Sequence, residues 1–221
     1  MRVALAVVLS LMGMASCGGS GSSTTKSSPT GDKAAAARIV LKQGDFPSGW
    51  SGKPHAADPS QGATTKELGQ CLGIGDVAAR TTADVNSQDF SKGQGATVTS
   101  EARFVQSDAQ ASDDLAGFQG DKASGCLEQA MHSLTEQRLP SGLTPGNLSV
   151  QQLQFPTLKD GTAAHQASFT IPVGDTNVPV YVDFIVFRAG RAEVTLATTN
   201  LASPFDSKLE QSLAEKMASR A

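Results

Sequence analysis

Three histidines, one adjacent pair of aspartates and three cysteines are the residues of this 221-residue chain best suited to chemistry. His55, His132 and His165 fall in a loop, a predicted helix and a predicted strand, and none has a second ligand or a nucleophile at motif spacing. A surface or hydrogen-bonded role follows for each. Asp113 and Asp114 are neighbours on a predicted helix, where successive side chains point in different directions, so they form a solvated face rather than an acid and base pair. The chain has no Gly-x-Ser-x-Gly elbow, no Gly-x-Gly-x-x-Gly and no P-loop. The expectation is a protein that is not an enzyme and carries no cofactor and no metal. The enzymatic alternative is a hydrolase whose triad is assembled only in three dimensions.

Cys17 belongs to a different chemistry. Arg2 precedes an apolar stretch from Val3 to Ala15 broken only by Ser10 and Gly13. That stretch is shorter than the roughly 20 residues of a spanning helix and lies where an export signal lies. The segment Met14-Ala15-Ser16-Cys17-Gly18 resembles the lipobox of bacterial lipoproteins, although Met14 stands where Leu is usual. The resemblance implies a signal peptide over residues 1–16, a diacylglycerol on Cys17, and a lipid-anchored protein on the extracytoplasmic face of the cell membrane. An ordinary secretory signal followed by a free cysteine is the alternative. Of residues 18–32, twelve are Gly, Ser or Thr. Residues 17–32 therefore read as the lipidated cysteine and a tether of about 20 Å root-mean-square span. Two acyl chains make such an attachment stable where one is marginal.

With Arg2 removed, 17 basic side chains face 21 acidic ones, interspersed and without long runs of one sign. Nucleic acid is not an expected partner, and no basic amphipathic helix points to further contact with anionic lipid. Residues 33–221 suit a single domain with one core. Once Cys17 is lipidated, Cys71 and Cys126 remain in an oxidising compartment and are expected to pair. A reactive thiol or a two-cysteine metal site is the alternative.

Several elements must position these residues. Asp32 is placed to cap a helix from Lys33 to about Gln43, followed by the turn Asp45-Phe46-Pro47-Ser48-Gly49-Trp50. A helix over 65–72 carries Cys71, strands follow at 83–90 and 96–105, and helices at 107–118 and 122–137 bring Cys126 toward the core. Four extended runs, 148–158, 162–173, 177–188 and 191–199, read as an antiparallel meander with two-residue hairpins at Asp160-Gly161 and Ala189-Gly190. Val178, Val180, Val182, Phe184 and Val186 are expected to face the core, continued by Val194 and Leu196. The opposite face, with Tyr181, Asp183, Ile185 and Phe187, is too apolar for bare solvent. It is either covered or, with Trp50, forms a binding surface. Trp50 alone also reads as a core or edge anchor. Ser207 and Glu210 have capping-box spacing at the start of a last helix. Segregated strands and helices imply an α+β fold with helices packed on an antiparallel sheet.

The helix leading into Asp45-Phe46-Pro47-Ser48-Gly49-Trp50, the pair Cys71 and Cys126, and the unit Val178-Pro179-Val180-Tyr181-Val182 through Arg191-Ala192-Glu193-Val194-Thr195 to Pro204-Phe205 resemble one group of proteins. They are the actinobacterial lipoproteins and kinase sensor domains with a PsbP-like α/β/α sandwich, including LpqN-type lipoproteins and PknH-type extracellular domains. The resemblance implies a non-enzymatic binding or sensor module that recognises an envelope ligand or partner protein. The alternative is a carrier of a lipid or other apolar molecule, which needs a cavity of several hundred Å³ between sheet and helices.

Overall fold

The computed structural model describes residues 28–56, 59–138, 145–173 and 175–221. Cys17, the signal peptide and the tether up to residue 27 lie outside them. Five helices and eight strands follow in the order α1 (Pro29–Ile39), β1 (Ser51–Lys53), α2 (Pro59–Leu72), β2 (Thr81–Asn86), β3 (Asp89–Lys92), β4 (Ala96–Val105), α3 (Asp108–Gln119), α4 (Ala123–Arg138), β5 (Gly146–Gln152), β6 (Thr162–Val173), β7 (Thr176–Ala189), β8 (Ala192–Leu201) and α5 (Ser207–Arg220). The strands make one antiparallel sheet in the order β1-β3-β4-β8-β7-β6-β5, with β2 also on β4. Ser87 interrupts what would be one strand along β4: its N–H donates to the Ser100 carbonyl, and its hydroxyl accepts from the Ser100 N–H. β2 therefore covers the second half of β4 and β3 the first. Helices lie on both faces, as the α+β expectation required.

Helix α1 starts four residues before the expected position. Pro29 opens it, its fixed φ suiting the first turn, and residues 29–32 are thus helix rather than tether. Asp32 is freed from capping. Its carboxylate takes the Arg191 guanidinium at 2.7 Å and the Thr82 hydroxyl at 2.6 Å, joining α1 to the β7–β8 turn and to β2. The helix stops at Ile39 because Val40 turns extended and the Leu41 N–H donates to the Ser100 hydroxyl. At the other end of the domain, Asp206 rather than Ser207 caps α5, accepting from the N–H groups of Lys208 and Leu209.

The β7–β8 hairpin turns through Gly190-Arg191, with Gly190 at φ 56°, and this register decides the core. It pairs Ile185 with Leu196 and Phe187 with Val194. Val194 and Leu196 therefore share a face with Ile185 and Phe187, not with the valine stripe as expected. That shared face is the main core: Ile185, Phe187, Val194 and Leu196 are fully buried under Ile39 of α1 and Leu213 and Met217 of α5. Opposite it, Val180 and Val182 pack with Ala167 and Phe169 against Met131 of α4, whereas Phe184 and Val186 are only half-buried. The hairpin expected at Asp160-Gly161 does not form. These residues instead bond across to β7, the Asp160 N–H to the Arg188 carbonyl and the Arg188 N–H to the Gly161 carbonyl, so residues 153–161 return as a loop.

Beneath α5 the core contains two carboxyls. Asp183 and Glu210 are 3% and 4% exposed; Asp183 accepts from the Gln166 amide at 2.8 Å and Glu210 from the Thr198 hydroxyl at 2.7 Å. Burial, then the neighbouring Asp183 charge, pushes the Glu210 carboxyl up to about 7, so one proton serves both groups. Folded protein therefore holds a proton that unfolded chain releases near pH 4.5, and stability falls as pH rises through that window toward 7. The urea midpoint is expected to be higher at pH 5 than at pH 8, with Glu210 supplying on the order of 3 kcal/mol of the difference. Glu210→Gln should make the profile shallower; an equally steep profile in that variant would remove the pair as a cause of it.

Candidate ligand-binding cleft

Helix α4 covers β5, β6 and β7 but not the rest of its sheet face. Helix α2 packs on α4 rather than on the sheet, and the disulfide between Cys71 and Cys126, with Cα atoms 5.6 Å apart, pins the two together. Leu72, Ala123 and Cys126 are buried around it, with Leu68, Ile74 and Phe118 against them. Over the parts of β8, β4 and β2 that α3 leaves uncovered, α2 and α4 stand off the sheet and enclose an open cleft of about 780 Å³. The carrier alternative required a volume of this class. A helix pair joined by a disulfide has no need to press onto strands for its own burial.

One side of the cleft is apolar. Leu127, Ala130, Met131 and Leu134 of α4 face Phe184 and Val186 of β7, with Phe118 and Leu68 beside them. Two of the three half-buried residues of the valine stripe, Phe184 and Val186, are thus cleft wall. The other side is a polar grid set by strand register. Asp84 pairs with Arg103 and Asn86 with Glu101 across β2 and β4, and Glu101 pairs with Thr195 across β4 and β8. All five side chains line the cleft. Arg103 binds Glu101 through one guanidinium nitrogen and approaches Asp84 at 3.7 Å through another. Burial opposes its charge, but Glu101, Asp84 and Glu193 more than offset that and raise its pKa. Glu101 is itself raised, chiefly by burial.

Next to the grid on the same face, a smaller void of about 50 Å³ lies between α3 and the sheet, bordered by Asp114, Glu193, Arg188, Glu101 and Arg103. Asp114 is 2% exposed and takes Arg80 at 3.1 Å through one carboxylate oxygen. Its other oxygen and one oxygen of Glu193 have no separate donor. Burial, and then a hydrogen bond with Asp114, pushes the Glu193 carboxyl up to about 8, so a proton shared between these two acids accounts for both oxygens. Asp114 is therefore a buried anchor of α3, not part of a solvated helix face.

The histidines take separate places. His165 is buried, its Nε2 2.8 Å from the Phe118 carbonyl, and His132 lies 3.4 Å from Glu136 one turn along α4. His55 lines the cleft with Nδ1 2.7 Å from Asp89. A histidine held by aspartate is half of a hydrolytic device, the other half being a nucleophile. Among the described residues lining the cleft there is no serine or cysteine; the hydroxyls are those of Thr64, Thr65, Thr81 and Thr195.

Of the two readings of the face with Tyr181, Ile185 and Phe187, coverage is the one found, and Trp50 is a core anchor; the four do not form a binding surface. Ile185 and Phe187 are fully buried, and Trp50, 7% exposed, packs with Phe46 and Phe205 in the main core. Tyr181 alone is half-buried. The cleft residues escaped sequence reading, although a signal existed: Asp84 with Asn86, and Glu101 with Arg103, are polar pairs two apart on strands, which places each pair on one face.

Among the described residues, no helix is long and apolar enough to cross a membrane. No protein-family model matches the chain, and no curated protein matches it in sequence. Among solved structures, the extracellular domain of PknH from Mycobacterium tuberculosis is similar at 10% identity with a TM-score of 0.49, the match covering 85% of this chain and 95% of that one.

Proposed function

We propose that this protein is a lipid-anchored, non-enzymatic binding module on the extracytoplasmic face of a bacterial membrane, holding an apolar or amphiphilic ligand in the cleft under α2 and α4. One observation carries the reading: an open volume of about 780 Å³ whose one wall is apolar side chains of α4 and β7 and whose other wall is a hydrogen-bonding grid. Ligand pockets have volumes in this range and this division of labour, with apolar walls supplying affinity and a few polar groups orientation. Export and anchoring rest on the apolar N-terminal stretch and the lipobox around Cys17. They agree with the Cys71–Cys126 cystine, a bond of the kind that persists in an oxidising compartment.

Of the functions expected from sequence, the carrier moves ahead of protein recognition, since a volume of this size fits a small apolar body better than a protein surface. The test uses the chain from residue 17 onward with Cys17→Ser, free of both the apolar signal peptide and the lipid so that no detergent is needed, and the neutral probe N-phenyl-1-naphthylamine. The probe is expected to brighten at one site per molecule. Ala130→Trp, which puts an indole into the apolar wall, is expected to weaken it at least tenfold. Equal brightening in both proteins would place the probe elsewhere and withdraw the reading.

A further inference from the structure

The polar wall of the cleft specifies more than polarity. Strand register sets Asp84 beside Arg103 and Asn86 beside Glu101, with Thr195 completing the second row, and every one of these side chains lines the cleft. Neighbouring strands lie about 4.8 Å apart and same-face residues along a strand roughly 7 Å apart, so the grid has the dimensions of one small ring with several substituents. Its charge is already arranged. Within the grid the Arg103 guanidinium is held by Glu101 and approached by Asp84, so the grid itself has no unpaired cation for an anionic head group to neutralise; Lys66, the other cation among the described residues that line the cleft, belongs to α2 and not to the grid. A cationic head placed on the same carboxylates would sit against Arg103. What the grid still offers is hydrogen bonding: carboxylate oxygens that accept, guanidinium and amide N–H groups that donate, and a hydroxyl that does both. Adjacent hydroxyls on one molecule match such an array, because each can donate to a carboxylate and accept from an N–H. The apolar wall of Met131, Leu134, Phe184 and Val186 stands across the same cleft.

From this juxtaposition we infer that the ligand is an amphiphile with an uncharged, polyhydroxylated head group, its hydroxyls on the β2–β4–β8 grid and its chain against α4 and β7. The inference rests on the cleft being the binding site. It adds that the head is neither anionic nor cationic and that head and chain are both needed.

Four single-chain or head-only competitors test it, the octyl compounds each below its micelle concentration, and each displacing N-phenyl-1-naphthylamine from the Cys17→Ser chain that starts at residue 17: octyl glucoside, octyl sulfate, octylammonium and free glucose. Octyl glucoside is expected to displace the probe at no more than one fifth of the concentration needed for either charged octyl compound, with glucose far weaker than all three. Glu101→Gln is expected to bring the ratio of glucoside to sulfate toward one. The wild-type series decides the matter even where that variant folds poorly. Octyl sulfate or octylammonium equal to or better than the glucoside would overturn the inference and mark the grid as an ion site. Glucose equal to octyl glucoside would overturn it by removing the chain. A probe that binds but is displaced with no preference among heads overturns this inference alone; a probe that does not bind withdraws the cleft reading with it.

Discussion

Phe187→Ala is expected to lower unfolding stability by about 4 kcal/mol, the usual loss for a fully buried Phe whose site cannot collapse. Phe187 has no exposed surface and packs in the cluster that α1 and α5 close from above. Val178→Ala on the same strand provides the contrast: Val178 is only half-buried, and its truncation should cost less than about 1 kcal/mol. Urea denaturation of the two variants reads the difference directly. Comparable losses, or a larger loss at Val178, would restore the face assignment that hydrophobic pattern alone suggests and would contradict the register of β7 and β8.

That assignment shows where the sequence was legible. Strand β7 alternates strongly, so its existence and its two faces follow from pattern alone, but both faces are apolar and pattern does not rank them. The turn ranks them. Two residues between Ala189 and Ala192 align Phe187 with Val194, and a shift of one residue would have moved Val194 and Leu196 to the other face. The α4 segment and the pairing of Cys71 with Cys126 were readable because spacing, helical period and compartment converge on them. The cleft was not, since it arises from what α2 does not touch, and no local propensity encodes a helix packed on a helix instead of on a sheet. The start of α1 was misplaced for a simpler reason. Asp32 has the right type for a cap, but its carboxylate serves Arg191, which lies 159 positions away.

Loss of the disulfide is the second large effect. Replacing Cys71 and Cys126 by Ala frees a loop spanning 55 positions, which in the chain-entropy model removes about 4 kcal/mol. The consequence for binding is separate from stability. Helix α2 packs on α4, and the bridge is the covalent part of that contact, so without it Leu68 and the residues around it no longer hold one side of the cleft in place. Probe affinity is expected to fall at least tenfold at temperatures where circular dichroism still reports folded protein. Unchanged affinity in the folded double variant would mean that α2 stays seated without the bridge and that the bridge serves stability alone. A stability loss below about 1 kcal/mol would show that the closed loop constrains little in the unfolded chain.

The central claim is that the cleft is occupied in life, and native mass spectrometry of the anchored protein, gently released from its own membrane, tests it most directly. One non-covalent adduct per molecule, of amphiphile mass and lost on denaturation while any covalent acyl mass at Cys17 persists, is the result expected. The same adduct should be missing from Ala130→Trp. Protein that emerges bare from the membrane, or that keeps its adduct when Ala130 is replaced by Trp, would contradict the account.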